Sequence, residues 1–251
     1  MWKKQKVSVI FPTYNEKGSI YNAIQDFFSS GYVDEIVVVN NNAAKGTEEE
    51  VNKTKARQVF EKRQGYGWAV RQGFKESKWG LIIVSEPDGT FSGNDVIKLL
   101  AYSDDFDVVI GTRTQTELIR KGANMGWFIH LGNFFIAKLI QFLFNVTTLT
   151  DAGCTMRLIK RSALEKISPQ FKTGGSYFDL EITILTILNK IKFLEVPLNY
   201  KKRVGKSSVT GNKLKALNLG IQMIAYVLQT RLKSWLGIPY KKLNGKARAK
   251  K

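Results

Sequence analysis

The chain has 251 residues, with 39 Lys and Arg against 21 Asp and Glu, one cysteine and one histidine. That length buries a full core, the lone Cys154 excludes an intrachain disulfide and fits a reducing compartment, and the single His130 excludes a histidine metal cluster. A formal net charge of +18 calls for a polyanionic partner, whether phosphorylated substrate, anionic lipid or nucleic acid.

The first half alternates strand and helix. Val7–Phe11 reads as a strand ending in Pro12-Thr-Tyr-Asn-Glu16, and a helix follows from Gly18 to Ser29. Ile36–Val39 is a second strand, closing in Asn40-Asn41-Asn42. Thr47–Thr54 is helical, Arg57–Phe60 is a short strand, and the loop Gln64-Gly65-Tyr66-Gly67 opens a helix over Trp68–Ser77. The apolar run Leu81–Ser85 is a buried strand that stops at two carboxylates, Glu86 and Asp88, held one residue apart by Pro87. A helix over Asn94–Tyr102 and a strand over Asp107–Gly111 continue the pattern. Repeated β-α units predict an α/β, doubly wound, mainly parallel sheet flanked by helices.

In such a sheet ligands bind beyond the carboxyl ends of the strands, near the switch in strand order. Pro12, Tyr14 and Glu16 follow the first strand, Asn40 and Asn41 the second, and Glu86 and Asp88 the fourth. Two acids at that point cost stability unless neutralised, and a divalent cation carrying a phosphate neutralises them. The amides can read a base or ribose, and Gly65 and Gly67 admit a phosphate closely. Each loop alone also fits a plain turn; their order along the chain favours a nucleotide.

The segment Val7-Ser-Val-Ile-Phe-Pro-Thr-Tyr-Asn-Glu16 resembles the opening of family 2 glycosyltransferases of the GT-A fold. Val37–Thr47 stands where that family carries its nucleotide loop, and Glu86-Pro-Asp88 where it carries an Asp-x-Asp metal motif. Val109–Arg113, Thr150–Arg157, Phe178–Glu181 and Val196–Ser207 follow in order, similar to the polyprenyl- and dolichyl-phosphate sugar transferase branch. Departures are visible. Asn40 and Asn41 replace acids, Lys45 stands where Asp is frequent, the first metal-motif acid is Glu86, and Thr155-Met156 replaces Gly-Phe.

The resemblance implies inverting transfer of a sugar from a UDP- or GDP-type donor, with Mg2+ or Mn2+ at Asp88 and Glu86 aiding departure of the diphosphate. It implies Arg203 and Lys206 closing over phosphates, and Arg113, Arg120 and Arg157 around an acceptor phosphate. Asp179 is the candidate base, with Glu181 second, should the acceptor be a saccharide hydroxyl rather than a polyprenyl phosphate. Asp151 orients the acceptor or its loop. Plain roles as helix-start, turn and surface residues stand beside each of these.

Gly126–Leu149 and Leu214–Leu236 read as amphipathic helices. Each is too interrupted by polar residues to span a membrane, and the second has a basic flank running into a Lys/Arg-rich tail. Such helices suit an anionic membrane surface, and core docking or a homo-oligomer interface are the alternatives. The division expected is a catalytic unit over 1–208 and a membrane-associating segment over 209–251, on the cytosolic face. No secretory pattern precedes the first strand, and no recognised nucleic-acid motif accompanies the charge. The remaining alternative from another class is a non-catalytic polyanion- or lipid-binding protein.

Overall fold

The computed structural model describes residues 1–123, 126–146, 148–205 and 213–238. Among these residues seven strands form one sheet: β1 (Val7–Thr13), β2 (Glu35–Asn40), β3 (Arg57–Phe60), β4 (Leu81–Val84), β5 (Val108–Thr112), β6 (Arg157–Lys160) and β7 (Phe193–Pro197). Their order is β3-β2-β1-β4-β6-β5-β7. Six run parallel, and β6 alone opposes its neighbours β4 and β5. The first five strands stand where the sequence predicts them, shifted by one or two residues. β6, by contrast, has only Leu158 and Ile159 between Arg157 and Lys160, and the sequence reading places no strand there.

Among the described residues eight α-helices accompany the sheet: α1 (Ile20–Ser29), α2 (Thr47–Asn52), α3 (Tyr66–Glu76), α4 (Val96–Ala101), α5 (Trp127–Phe144), α6 (Arg161–Ile167), α7 (Phe178–Leu188) and α8 (Lys213–Trp235). Alternation along the strands sorts the core into two layers. Val7, Val9, Phe11 and Ile83 pack on one face with Ile24 and Phe27 of α1 and Leu99 of α4. Ile10, Val37, Ile82 and Val84 pack on the other, with Val70 of α3, Leu164 of α6 and Phe178 of α7.

Helix α7 belongs to two clusters. Phe178, Ile182 and Leu185 meet the sheet layer, while Leu180 and Ile184 meet Ile136 and Ile140 of α5 and Met223 and Val227 of α8. A helix apolar on every side must be buried on every side, and α7 is buried from Phe178 through Thr186. The expected division at 208/209 lies outside the described residues. Beyond it, α8 docks on α5 and α7 through Met223 and Val227. Opposite faces of α5 and α8 stay open: Trp127, Leu131, Phe135 and Phe142 on the one, Leu217, Ile221, Leu228, Leu232 and Trp235 on the other are exposed. Among the described residues no helix is long and apolar enough to cross a membrane.

The chain leaves β1 toward β2 and β3, then returns to place β4 on the other side of β1. The gap between the carboxyl ends of β1 and β4 is therefore the switch point of the sheet. Tyr14–Glu16 and Glu86–Asp88 emerge on either side of it.

Candidate functional site

At this switch point Arg203 faces three carboxylates. Its Nη1 lies 2.7 Å from Asp88 Oδ2 and 3.5 Å from Glu86 Oε2, and its Nη2 lies 3.3 Å from Glu16 Oε1. Glu16 and Asp88 are held from behind. Glu16 Oε2 accepts the Tyr14 and Asn15 amides at 2.6 and 2.8 Å. Asp88 Oδ1 accepts the Thr90 amide at 2.9 Å and its hydroxyl at 2.5 Å. The arginine comes from the strap after β7, which is tied down where the Val204 amide donates to Asp88 O and the Lys201 amide to Thr90 O. Burial, with the Asp88 charge behind it, pushes the Glu86 carboxyl above its ordinary range, and Arg203 acts against that.

Asp88 Oδ2 is buried and makes no hydrogen bond among the described residues, meeting only the arginine. Such an oxygen, beside Glu86, can ligate a divalent cation. No group of three or more His, Cys, Asp and Glu side chains is placed to hold a metal among the described residues. The protein therefore offers one or two carboxylates, and a bound cation would take its other ligands from water and a diphosphate, as Mg2+ commonly does.

A cavity of about 390 Å³ opens beside these acids, lined by Pro12, Tyr14, Glu16, Asn41, Gly65, Tyr66, Glu86, Arg113 and Arg203 among others. Six of these come from the sequence-predicted donor set. The amides at the end of β2, however, are committed to the protein. Asn41 Nδ2 donates to Glu61 O and Arg63 O, and its Oδ1 accepts the Gly65 amide, all at 2.8 Å. Asn40 Nδ2 donates to Glu48, and its Oδ1 accepts the Ala43 amide. These side chains shape the loops around the cavity and have little left to read a base. Gly67 also differs from expectation. It lies inside α3, where a Cβ would stand 2.8 Å from the Gly174 carbonyl carbon and from Phe178 Cβ. Its bareness lets two backbones approach, and it does not line the cavity.

A second cavity of about 520 Å³ lies between α5, α7 and α8, walled by Ile136, Leu180, Ile221 and Met223 among others. Arg113, Ile129, Gly153, Thr155, Ser176 and Leu219 line both cavities. Thr155, Ser176, Tyr66 and Leu219 carried no signal in the sequence, because their place depends on how distant segments meet.

Arg113 stands at this junction and is held by Asp151. Its Nε donates to Asp151 Oδ2 at 2.8 Å and its Nη2 to Oδ1 at 2.9 Å. Asp151 is positioned in turn by Glu195 of β7, which accepts the Thr150 amide, the Thr150 hydroxyl and the Asp151 amide. Glu195 is a carboxylate inside an otherwise apolar strand, the one sequence signal that marks it.

The remaining predicted residues divide. Asp179 is buried, lines the second cavity and pairs through Oδ1 with Arg157 Nε at 3.2 Å. Burial raises its carboxyl against the lowering effect of Arg157. Glu181 lines neither cavity: it accepts the Lys172 and Thr173 amides, both at 2.9 Å, and fastens that loop. Arg157 is fully buried, donating to Asp179 O and Cys154 O, and faces neither cavity. Arg120 is exposed and faces neither. Its arginine neighbours in the sequence-predicted acceptor set thus reduce to Arg113 and Arg203. Lys206 lies outside the described residues. Cys154 is buried, with its thiol pushed far above the ordinary range by burial, so it has no nucleophilic role here.

Residues 8–168 match the family described as Glycosyl transferase family 2. A dolichyl-phosphate hexose transferase of Haloferax volcanii is 30% identical over 207 residues, covering 81% of this chain and 86% of that protein. A dolichyl-phosphate beta-glucosyltransferase of Saccharomyces cerevisiae is 26% identical over 262 residues, covering 92% of this chain and 76% of the relative. Among solved structures, glucosyl-3-phosphoglycerate synthase from Mycobacterium tuberculosis, in complex with Mn2+, UDP and glucosyl-3-phosphoglycerate, superposes with a TM-score of 0.69. It is 18% identical and covers 94% of this chain and 81% of its own. The fold is thus the GT-A type that the sequence predicts.

Proposed function

The chain belongs to the family 2 glycosyl transferases, and from that premise we propose that it moves a sugar from a nucleoside-diphosphate donor onto a polyprenyl-type phosphate at an anionic membrane surface. The observation that carries this reading is the pair of joined cavities. One is polar and bordered by Glu86 and Arg203; the other is walled mainly by aliphatic side chains between α5, α7 and α8; Arg113 stands where they meet. A lipid phosphate fits that arrangement, with its charge at Arg113 and its chain among Ile136, Leu180 and Met223. The dolichyl-phosphate relatives add support.

In this reading the donor diphosphate lies at the switch point. A bound Mg2+ or Mn2+ would supply charge neutralisation for the departing diphosphate; neighbouring folds are described in complex with Mn2+ or Mg2+ and UDP. Asp88 and Glu86 hold that cation, Arg203 adds a guanidinium over the phosphates, and Asp151 keeps Arg113 aimed at the acceptor. The phosphate oxygen of the acceptor is already ionised and attacks without a protein base. Exposed apolar faces on α5 and α8, with the +18 charge, suit docking on anionic lipid.

A second reading keeps the donor and makes the acceptor a saccharide hydroxyl. Asp179 favours it, being a buried carboxylate on the wall of the second cavity with a raised proton affinity. The deciding experiment is nucleotide release from UDP- and GDP-sugars with Mn2+ or Mg2+, with and without a short polyprenyl phosphate, and with Asp88→Ala as control. Lipid-stimulated release lost in the variant supports the first reading. Release indifferent to lipid moves the assignment to the hydroxyl acceptor, and no release with any donor overturns both.

A further inference from the structure

We infer that Arg203 is the resident cation of the metal site, so that a divalent ion enters together with the diphosphate rather than ahead of it. This deepens the functional reading above and rests on it. The side chain of Asp88 is fully buried and that of Arg203 only 15% exposed, and the guanidinium already spans Asp88, Glu86 and Glu16. An incoming cation meets these acids already sharing one guanidinium, which it must displace and which has no other anionic partner in the site among the described residues. Free metal gains little by that exchange. The two carboxylates leave most of its coordination to water, and the displaced arginine would be buried without a counter-charge.

A diphosphate changes the balance on both sides. It brings further oxygen ligands to the metal, and it offers the planar Arg203 guanidinium a pair of phosphate oxygens for bidentate bonding. Arg203 then moves from carboxylates to phosphates while the metal takes its place, so the acids and the diphosphate each keep a cationic partner. The strap that carries it is anchored at Lys201 and Val204 on either side, with both amides hydrogen-bonded to the turn holding Asp88. The side chain can therefore exchange partners while the backbone stays in register with the metal-binding acid. Binding of metal and nucleotide is coupled through one side chain, and linkage makes that coupling reciprocal.

The test is Mn2+ binding followed by electron paramagnetic resonance, on the full chain, with and without UDP or GDP. Wild type is expected to bind Mn2+ alone weakly, and at least about fivefold more tightly with one of the diphosphates, the lower end of ordinary site coupling. Arg203→Gln is expected to bind Mn2+ alone more tightly than wild type and to lose the dependence on diphosphate. Because three unneutralised acids lower the melting temperature of that variant, Tm is read as well: Mn2+ alone restores it in Arg203→Gln and leaves wild type unmoved. Arg203→Gln with no gain in affinity for free Mn2+, in a wild type that does bind Mn2+ with diphosphate, overturns the exchange and leaves the transferase reading standing. Wild type that binds Mn2+ under neither condition overturns both.

Discussion

Asp151 clasps Arg113 through both carboxylate oxygens, at 2.8 and 2.9 Å, with the aspartate side chain fully buried and the arginine nearly so. Burial pushes the Asp151 carboxyl up, but the charge and hydrogen bonds of Arg113 outweigh it and hold the group below its ordinary range. A carboxyl lowered by folding contributes stability that is present above its unfolded pKa, about 4, and is lost as pH falls through the folded value. Asp151→Asn removes one partner of a buried pair, so it should cost about 3 kcal/mol near neutral pH. It should also flatten the stability profile below about pH 4. Urea unfolding across that range checks both; variant and wild-type profiles that stay parallel into acid would assign the acid sensitivity to other carboxyls.

Asp179 and Glu181 sit two residues apart in α7 and should behave differently. Asp179→Asn leaves the wall of the second cavity in place but removes both its proton affinity and the charge that pairs with buried Arg157, so Tm should fall whatever the acceptor. With a polyprenyl phosphate acceptor, turnover should stay within about tenfold of wild type; a hydroxyl acceptor needing a base should lose about 10²–10⁴-fold. Glu181→Gln keeps one acceptor oxygen and takes the other from the Lys172 and Thr173 amides, so its cost should fall on Tm and be the same for every acceptor. Steady-state kinetics at matched folded fraction separates the two. Selective loss with one acceptor in Glu181→Gln would place that carboxylate in the chemistry after all.

The parallel half of the sheet was readable because each strand is an apolar run that stops at polar residues, as Leu81–Val84 stops before Glu86. Strand ends mark the ligand edge, so Glu16, Glu86 and Asp88 were found together without knowledge of their contacts. What sequence spacing lacks is direction. Asn41 and Gly65 look like ligand groups, yet the amide of the first is spent on the loop of the second. Arg157 reads as a surface cation and is instead one of the largest fully buried side chains, braced on carbonyls of Cys154 and Asp179. Antiparallel β6 and the junction residues Thr155 and Ser176 depend on pairings across long separations, which no local pattern encodes.

Gly67 offers a test of that packing. A Cβ there would press to 2.8 Å on the Gly174 carbonyl carbon and Phe178 Cβ, closer than side chains tolerate. Backbone cannot yield as a flexible side chain does, so Gly67→Ala should destabilise by about 1–3 kcal/mol. The displaced segment leads into Ser176, which lines both cavities, so KM for donor and acceptor should rise together. Thermal unfolding and two-substrate kinetics measure this; a variant with unchanged Tm would mean the loop carrying Gly174 yields at no cost.

The outer face of α8 supplies the last test. Leu228, Leu232 and Trp235 recur at spacings of four and three residues, and each is exposed, while Leu217 and Ile221 continue the stripe into the wall of the second cavity. Val227 and Met223, on the other side of the same helix, are buried against α5 and α7. A helix apolar on both sides has spent one side on the core and leaves the other for a second apolar phase. Leu228 and Leu232 line neither cavity, so replacing both by Asp should spare the fold and turnover of a short, water-soluble acceptor. It should remove about 1–2 kcal/mol of insertion energy per residue and add charge repulsion, lowering affinity for anionic vesicles by about tenfold or more. Cosedimentation with vesicles of phosphatidylserine and phosphatidylcholine reads the loss directly. Equal binding by the double variant and wild type would move the membrane contact off α8, and a variant monomeric where wild type is dimeric would give this face to a second copy of the chain.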